Sequence, residues 1–157
     1  MKKIILSFCI LFLFSANIFA DNHSLSFTNG TRANIPISSA TTNLEEFTVE
    51  FWYFEEDFSG GDEWILGFER EAGDGFRIRN DWGDYEAGLV GENGGCEAID
   101  AYEINQNVWT HLALSYDSDN YYFFVDGVLI TSEPCDVGLV GEENSSIDIN
   151  YHTWNNG

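Results

Sequence analysis

Two passages late in the chain alternate oily and wet residues with a period of two. From Trp109 to Asp117, Leu112, Leu114 and Tyr116 fall on one side, with His111, Ala113 and Ser115 on the other. From Tyr121 to Gly127, Tyr121, Phe123 and Val125 share a side. Successive side chains of a strand leave opposite faces, so this period predicts half-buried strands. Ser118-Asp119-Asn120 between them is a short polar turn, which makes the pair a hairpin. Asp126-Gly127 opens a second tight turn into Val128-Leu129-Ile130, because Gly takes a positive φ at no steric cost. Three consecutive antiparallel strands form a meander. Further strands are predicted at 24–27, 34–37, 47–54, 64–69, 75–80, 86–90 and 147–151, separated by Gly, Asn, Asp and Ser. In 47–54, Phe47, Val49, Phe51 and Tyr53 suit an interior, while Thr48, Glu50, Trp52 and Phe54 suit a face partly in water. No segment sustains a helical period, and many short strands predict a two-sheet, all-β sandwich. Gly88-Leu89-Val90-Gly91-Glu92 recurs as Gly138-Leu139-Val140-Gly141-Glu142. The flanks do not follow, so these read as two similar strand-to-turn transitions and not as a duplicated unit.

The same residues carry a family likeness. Trp109-Thr110-His111-Leu112-Ala113, followed by a Tyr-Asp turn and a Val-Asp-Gly hairpin, resembles the laminin G-like, concanavalin A-like jelly-roll group. Phe47-Thr48-Val49-Glu50-Phe51-Trp52 fits that family's early core strand. Leu25-Ser26-Phe27, a Gly turn and Ala33-Asn34-Ile35-Pro36-Ile37 fit its opening. The resemblance runs over roughly residues 24–150 and implies an antiparallel jelly-roll sandwich. It also implies a final strand returning beside the N-terminal one. No such strand is legible after Ile147–Asn150, so the expectation is a sandwich short of its last strand, with an open edge available for pairing.

Residues 1–20 read as a secretory leader: Lys2 and Lys3, then an apolar run from Ile4 to Phe14, then Ala20 as the last residue before cleavage. The run is short for a bilayer span. The expectation is a secreted single domain over 21–157, with no membrane insertion after the leader is removed. Charge narrows the partners. The chain has 27 acidic residues against six basic ones, and two of the six are the leader lysines. Such a surface repels nucleic acid and anionic membranes, which bind through Lys and Arg. Aromatic residues make up 16% of the chain, enough to build a core and exclude disorder. Beyond the leader only Cys96 and Cys135 remain, and in an exported chain they are expected to pair as a disulfide. Two cysteines without matching histidines make no zinc site.

Catalytic patterns are weak. The family's glycoside hydrolases use Glu-x-Asp-x-x-Glu on one strand, where alternate carboxylates share a face and flank a glycosidic bond. Glu55-Glu56-Asp57 begins like it, but Gly60 stands where the second Glu belongs. His111 reads as a sheet-surface structural residue, and there is no Gly-x-Ser-x-Gly. Calcium takes six to eight oxygens, and three acidic clusters have that composition: Glu55-Glu56-Asp57 with Asp62-Glu63, Asp81 with Asp84, and Asp117-Ser118-Asp119-Asn120. Laminin G-like domains often hold Ca²⁺ at a loop rim, so the resemblance implies one such site, with Asp81 and Asp84 the best candidates. Asn80-Asp81-Trp82-Gly83-Asp84-Tyr85 mixes aromatic rings with carboxylates as a sugar site does, and so does the tail with Tyr151 and Trp154. Trp64 and Trp109 read as core. Asn22, Asn29 and Asn144 head glycosylation sequons.

The expectation is therefore a non-catalytic recognition module that binds carbohydrate, with Ca²⁺ assisting. Its ligand-facing residues are Trp82, Tyr85, Asp81, Asp84 and Trp154. An extracellular protein-adhesion module is the alternative, and a glycoside hydrolase ranks behind both.

Overall fold

A computed structural model describes residues 24–27, 31–36, 42–56, 61–68, 75–141 and 146–152. The expected leader, Asp57 and Trp154 lie outside these residues. The described residues form ten strands: β1 (Ala33–Pro36), β2 (Phe47–Phe54), β3 (Asp62–Phe68), β4 (Gly75–Asp81), β5 (Asp84–Gly91), β6 (Gly94–Glu103), β7 (Trp109–Tyr116), β8 (Asn120–Val125), β9 (Val128–Pro134) and β10 (Ser146–His152). They form a six-stranded sheet in the order β1-β10-β3-β4-β5-β6 and a four-stranded sheet in the order β2-β7-β8-β9. Every pairing is antiparallel.

Alternation builds the space between the sheets. Leu112, Leu114 and Tyr116 of β7 and Tyr121, Phe123 and Val125 of β8 are all buried in one cluster with Phe76, Ile78, Ala87 and Leu89 of the opposing sheet. Phe47, Val49, Phe51 and Tyr53 of β2 pack against it. Inward tyrosines need partners for their hydroxyls. Tyr116 meets that need by donating to the Ser118 carbonyl (3.1 Å) and accepting from the Val137 N–H (3.3 Å), which draws the segment after β9 onto the core.

Several expectations need correction. Residues 24–27 form no strand; two oily positions with no paired neighbour are too little to hold one. β6 was not anticipated. Among the described residues it pairs only with β5, at the edge of its sheet, and it opens on two glycines. The place beside the N-terminal strand is filled by β10 itself, which pairs β1 on one side and β3 on the other. Of the recurring pentapeptides, the first ends β5, while in the described part of the second, Gly138–Gly141, Val140 bridges to Leu44. The two lie against each other: a side chain on Gly91 would come within 2.7 Å of the Leu139 carbonyl oxygen and closer still to that of Val137.

The expected disulfide is present. Cys96 on β6 joins Cys135 just after β9, with Cα atoms 5.9 Å apart. It ties the edge of one sheet to the edge of the other.

Candidate functional site

One end of the sandwich collects the ends of strands from both sheets. The β4–β5 hairpin, the starts of β3 and β7, the ends of β2 and β6, and the β8–β9 hairpin all lie there, gathered within each sheet by the pairing registers and across the sheets by the contact of Tyr53 with Tyr85. Asp81 and Asp84 are direct partners across the β4–β5 ladder, which leaves Trp82 and Gly83 as a two-residue turn. Their φ values, 55° and 107°, place both in the left-handed region that such a turn demands.

That region disfavours a bulky side chain. Among the described residues the other non-glycine positions with positive φ are Asn43, Asn107, Ser118, Asp126 and Asn150, all short and polar. The β8–β9 hairpin solves the same geometric problem with Asp126-Gly127. Trp82 is thus an unfavourable choice for the backbone, and it is 74% exposed, so packing does not compensate. The turn beneath it is firmly held. The Trp82 N–H donates to the Gly61 carbonyl (3.1 Å), and the Gly83 carbonyl accepts from the Ile104 N–H (2.8 Å). The Gly83 N–H donates to Oδ1 of the buried Asn80 (3.0 Å). An exposed indole on a braced turn is preorganised for stacking.

The other anticipated residues separate. Asp81 and Asp84 are half-buried at the tip, as expected for flanking positions. Tyr85 does not belong with them: it is 1% exposed and lies edge-on to Tyr53 at 6.2 Å. The correction follows from the period of the strand. Asp84 ends the ladder, so the next residue, Tyr85, points between the sheets. Trp109, expected in the core, is instead 49% exposed, because it stands on the outer side of the first residue pair of β7. Trp64 is buried as expected.

The acidic clusters have other employment. The Asp117 carboxylate accepts from the N–H groups of Asp119 (3.2 Å) and Asn120 (2.8 Å) and from the Tyr122 hydroxyl (2.8 Å). Those bonds, the one from Tyr122 foremost, hold its carboxyl below the usual range. Glu55 accepts from the Tyr53 hydroxyl. Burial first, and then that bond, drive the Tyr53 pKa far up. Among the described residues no three His, Cys, Asp or Glu side chains converge as a metal-holding group. Asp81 also has the Arg79 guanidinium 4.0 Å away.

Two further clusters lie outside the anticipated site, the first on the outward face already read for Glu50, Trp52 and Phe54. On the outer face of the four-stranded sheet, Trp52 and His111 face each other across the β2–β7 ladder with ring centroids 5.2 Å apart, and Phe54 and Trp109 do the same at 5.3 Å. On the six-stranded sheet Glu86 is fully enclosed, with Arg79 at 2.5 Å from Oε2 and Arg77 at 3.6 Å from Oε1. Arg77 also pairs with Glu97. Ions buried this way need such partners, and removing one leaves a charge uncompensated. Arg77, Arg79 and Glu86 alternate along adjacent strands, but the burial of Glu86 is a tertiary fact with no sequence signal.

A family model described as the concanavalin A-like lectin/glucanases superfamily matches residues 28–156. No curated protein sequence matches the chain. Among solved structures, the binding domain of Paraclostridial Mosquitocidal Protein 1 aligns at 14% identity and a TM-score of 0.64, over 80% of this chain and 34% of that one. The receptor binding domain of botulinum neurotoxin D aligns at 17% identity and 0.60, over 79% and 34%. Domain 4 of AbnA, a GH43 extracellular arabinanase from Geobacillus stearothermophilus solved with arabinotriose, aligns at 19% identity and 0.58, over 78% and 58%. The chain spans about a third of the toxin binding domains it matches. At these identities the likeness is one of fold.

Proposed function

The chain belongs to the concanavalin A-like lectin/glucanases superfamily, and from that premise we propose that it is a secreted, non-catalytic module that binds carbohydrate at the β4–β5 hairpin tip. The observation that carries this reading is Trp82, an exposed ring held in a backbone conformation that favours Asn or Gly. A chain that keeps a costly residue where a cheaper one fits is using that residue for something other than folding. The apolar C–H face of a sugar ring stacks on the indole, and Asp81 and Asp84 beside it accept hydroxyl protons. Support by likeness comes from the arabinanase domain, which was solved holding an oligosaccharide.

Calcium enters this proposal as a test and not as a premise. Two carboxylates, one of them facing an arginine, are few donors for an ion that takes six to eight oxygens. Titration of the folded chain with Ca²⁺ measures the point. Glycan binding that is equal in Ca²⁺ and in chelator fits stacking alone, and binding lost in chelator assigns the metal a role.

The deciding experiment is a broad glycan array with the native chain and Trp82→Asn. The native chain binds at least one oligosaccharide class and the variant does not, with both equally folded. Equal binding by the two, or no binding on the array, removes the reading. Protein adhesion is the second reading, favoured by the exposed aromatic pairs on the four-stranded sheet.

A further inference from the structure

The outer face of the four-stranded sheet carries a second constellation, independent of Trp82. Trp52 is 62% exposed, and Glu50, two residues before it on the same strand, shows its side chain 67% to solvent. Residues two apart on a strand share a face at a spacing of roughly 7 Å. An aromatic face and an exposed carboxylate therefore stand side by side. Across the ladder, His111 lies against Trp52, its Nε2 3.6 Å from a Glu50 carboxylate oxygen. The next pair along, Phe54 and Trp109, continues the aromatic surface, and Leu129 exposes further apolar area on β9.

Charge decides what could cover this face. Neither 42–56 nor 109–134, which together hold all four strands, contains a single Lys or Arg. Asp117, Asp119, Asp126 and Glu133 are exposed along its hairpins and edge. An anionic partner is repelled. Ring geometry narrows the choice further. Trp52 and His111 are inclined at 55°, and Phe54 and Trp109 at 45°. Each pair is packed ring against ring, so the surface left open is the exposed indole of Trp52 beside the Glu50 carboxylate, and a compact cation is attracted to both.

We propose that this face docks a basic protein segment, with one guanidinium or ammonium group seated between Trp52 and Glu50. Cation–π attraction and the Glu50 carboxylate hold that group, and the surrounding acids speed encounter and make binding salt-sensitive.

The test uses the full chain and a synthetic nonapeptide of arginine and glycine, compared with the same peptide carrying citrulline, the neutral isostere of arginine. Tryptophan fluorescence and calorimetry read the affinity at low and moderate salt. The arginine peptide binds, weakens with salt, and is at least tenfold better than the citrulline peptide. Trp52→Ala and Glu50→Gln each weaken it about tenfold. Glu92→Gln, which removes one exposed charge on the other sheet, changes it less than twofold, and so does Trp82→Asn. Near-UV dichroism checks that each variant is folded. Three results overturn the proposal: equal binding of the citrulline peptide, equal effects of Glu50→Gln and Glu92→Gln, or no binding by the native chain. A neutral oligosaccharide whose binding depends on Trp52 also overturns it and gives the face to glycan. Because Trp82→Asn is silent here and decisive on the array, failure of this proposal and failure of the glycan reading are told apart.

Discussion

At the scale of the residue, the contest at Trp82 is between backbone preference and surface chemistry. A left-handed conformation costs an L-residue about 1–2 kcal/mol, and Asn-Gly is the favoured filling of this turn. Trp82→Asn is thus expected to hold or raise stability, by up to about 1 kcal/mol, while glycan binding disappears. Urea denaturation beside the array reads both, and a clear loss of stability would mean that the indole packs. Tyr85 gives a second prediction. Burial lifts its pKa to about 12, against a smaller opposing effect of its hydrogen bond with Thr110. The folded chain therefore keeps that proton longer than the unfolded chain does. The stabilisation is complete below pH 10 and is lost as pH rises from about 10 toward 12. Tyr53 and Tyr121 are shifted the same way and add to the effect. Thermal melts from pH 9 to 12 are expected to fall steeply over that window, with tyrosinate absorbance rising at the same point. Ionisation of all seven tyrosines near pH 10 without unfolding would contradict the burial.

At the scale of the element, the disulfide and the crossing at Gly91 set how the sheets meet. Cys96 and Cys135 are 39 residues apart. Closing a loop of that length stabilises by about 4 kcal/mol on the chain-entropy view. Cys96→Ala with Cys135→Ala is expected to lower the urea midpoint accordingly, most of it acting through the unfolded chain. A shift under about 1 kcal/mol would show that β6 is held by its ladder alone. Gly91→Ala drives a methyl against the carbonyls of Val137 and Leu139, both backbone atoms that cannot swing away. A loss of about 1–3 kcal/mol is expected, as for other overpacked sites, measured by the same denaturation. β2, β7 and β8 were legible because one face of each is buried and the other is not, which writes a period of two into the sequence. β6 was not, because it opens on two glycines and carries no run of alternating oily and wet residues, whereas β2, also at an edge, keeps its alternation because one face meets the core.

At the scale of the whole molecule, 27 acids against six bases oppose compaction. Screening falls within about 10 Å at 0.1 M salt. The urea midpoint is therefore expected to rise between 10 and 300 mM NaCl with an unchanged slope. A midpoint that falls with salt would mean that the Arg77, Arg79, Glu86 and Glu97 network outweighs the general repulsion. Among the described residues no helix is long and apolar enough to cross a membrane.

The sequence by itself determined the strand periods, the turn positions, the inner faces of β2, β7 and β8 and the pairing of the two cysteines. Those are local matters: which neighbours alternate, where Gly and Asn permit a reversal, how many thiols exist. Only the tertiary structure decided that Tyr85 turns inward while Trp82 stays out, that Trp109 reaches solvent, that Glu86 is enclosed by two arginines, and that β10 closes the sheet beside β1. Each of these depends on what lies across a ladder or above a face. Such neighbours come from residues tens of positions away, and a period of two cannot say which of its two faces the rest of the chain will cover.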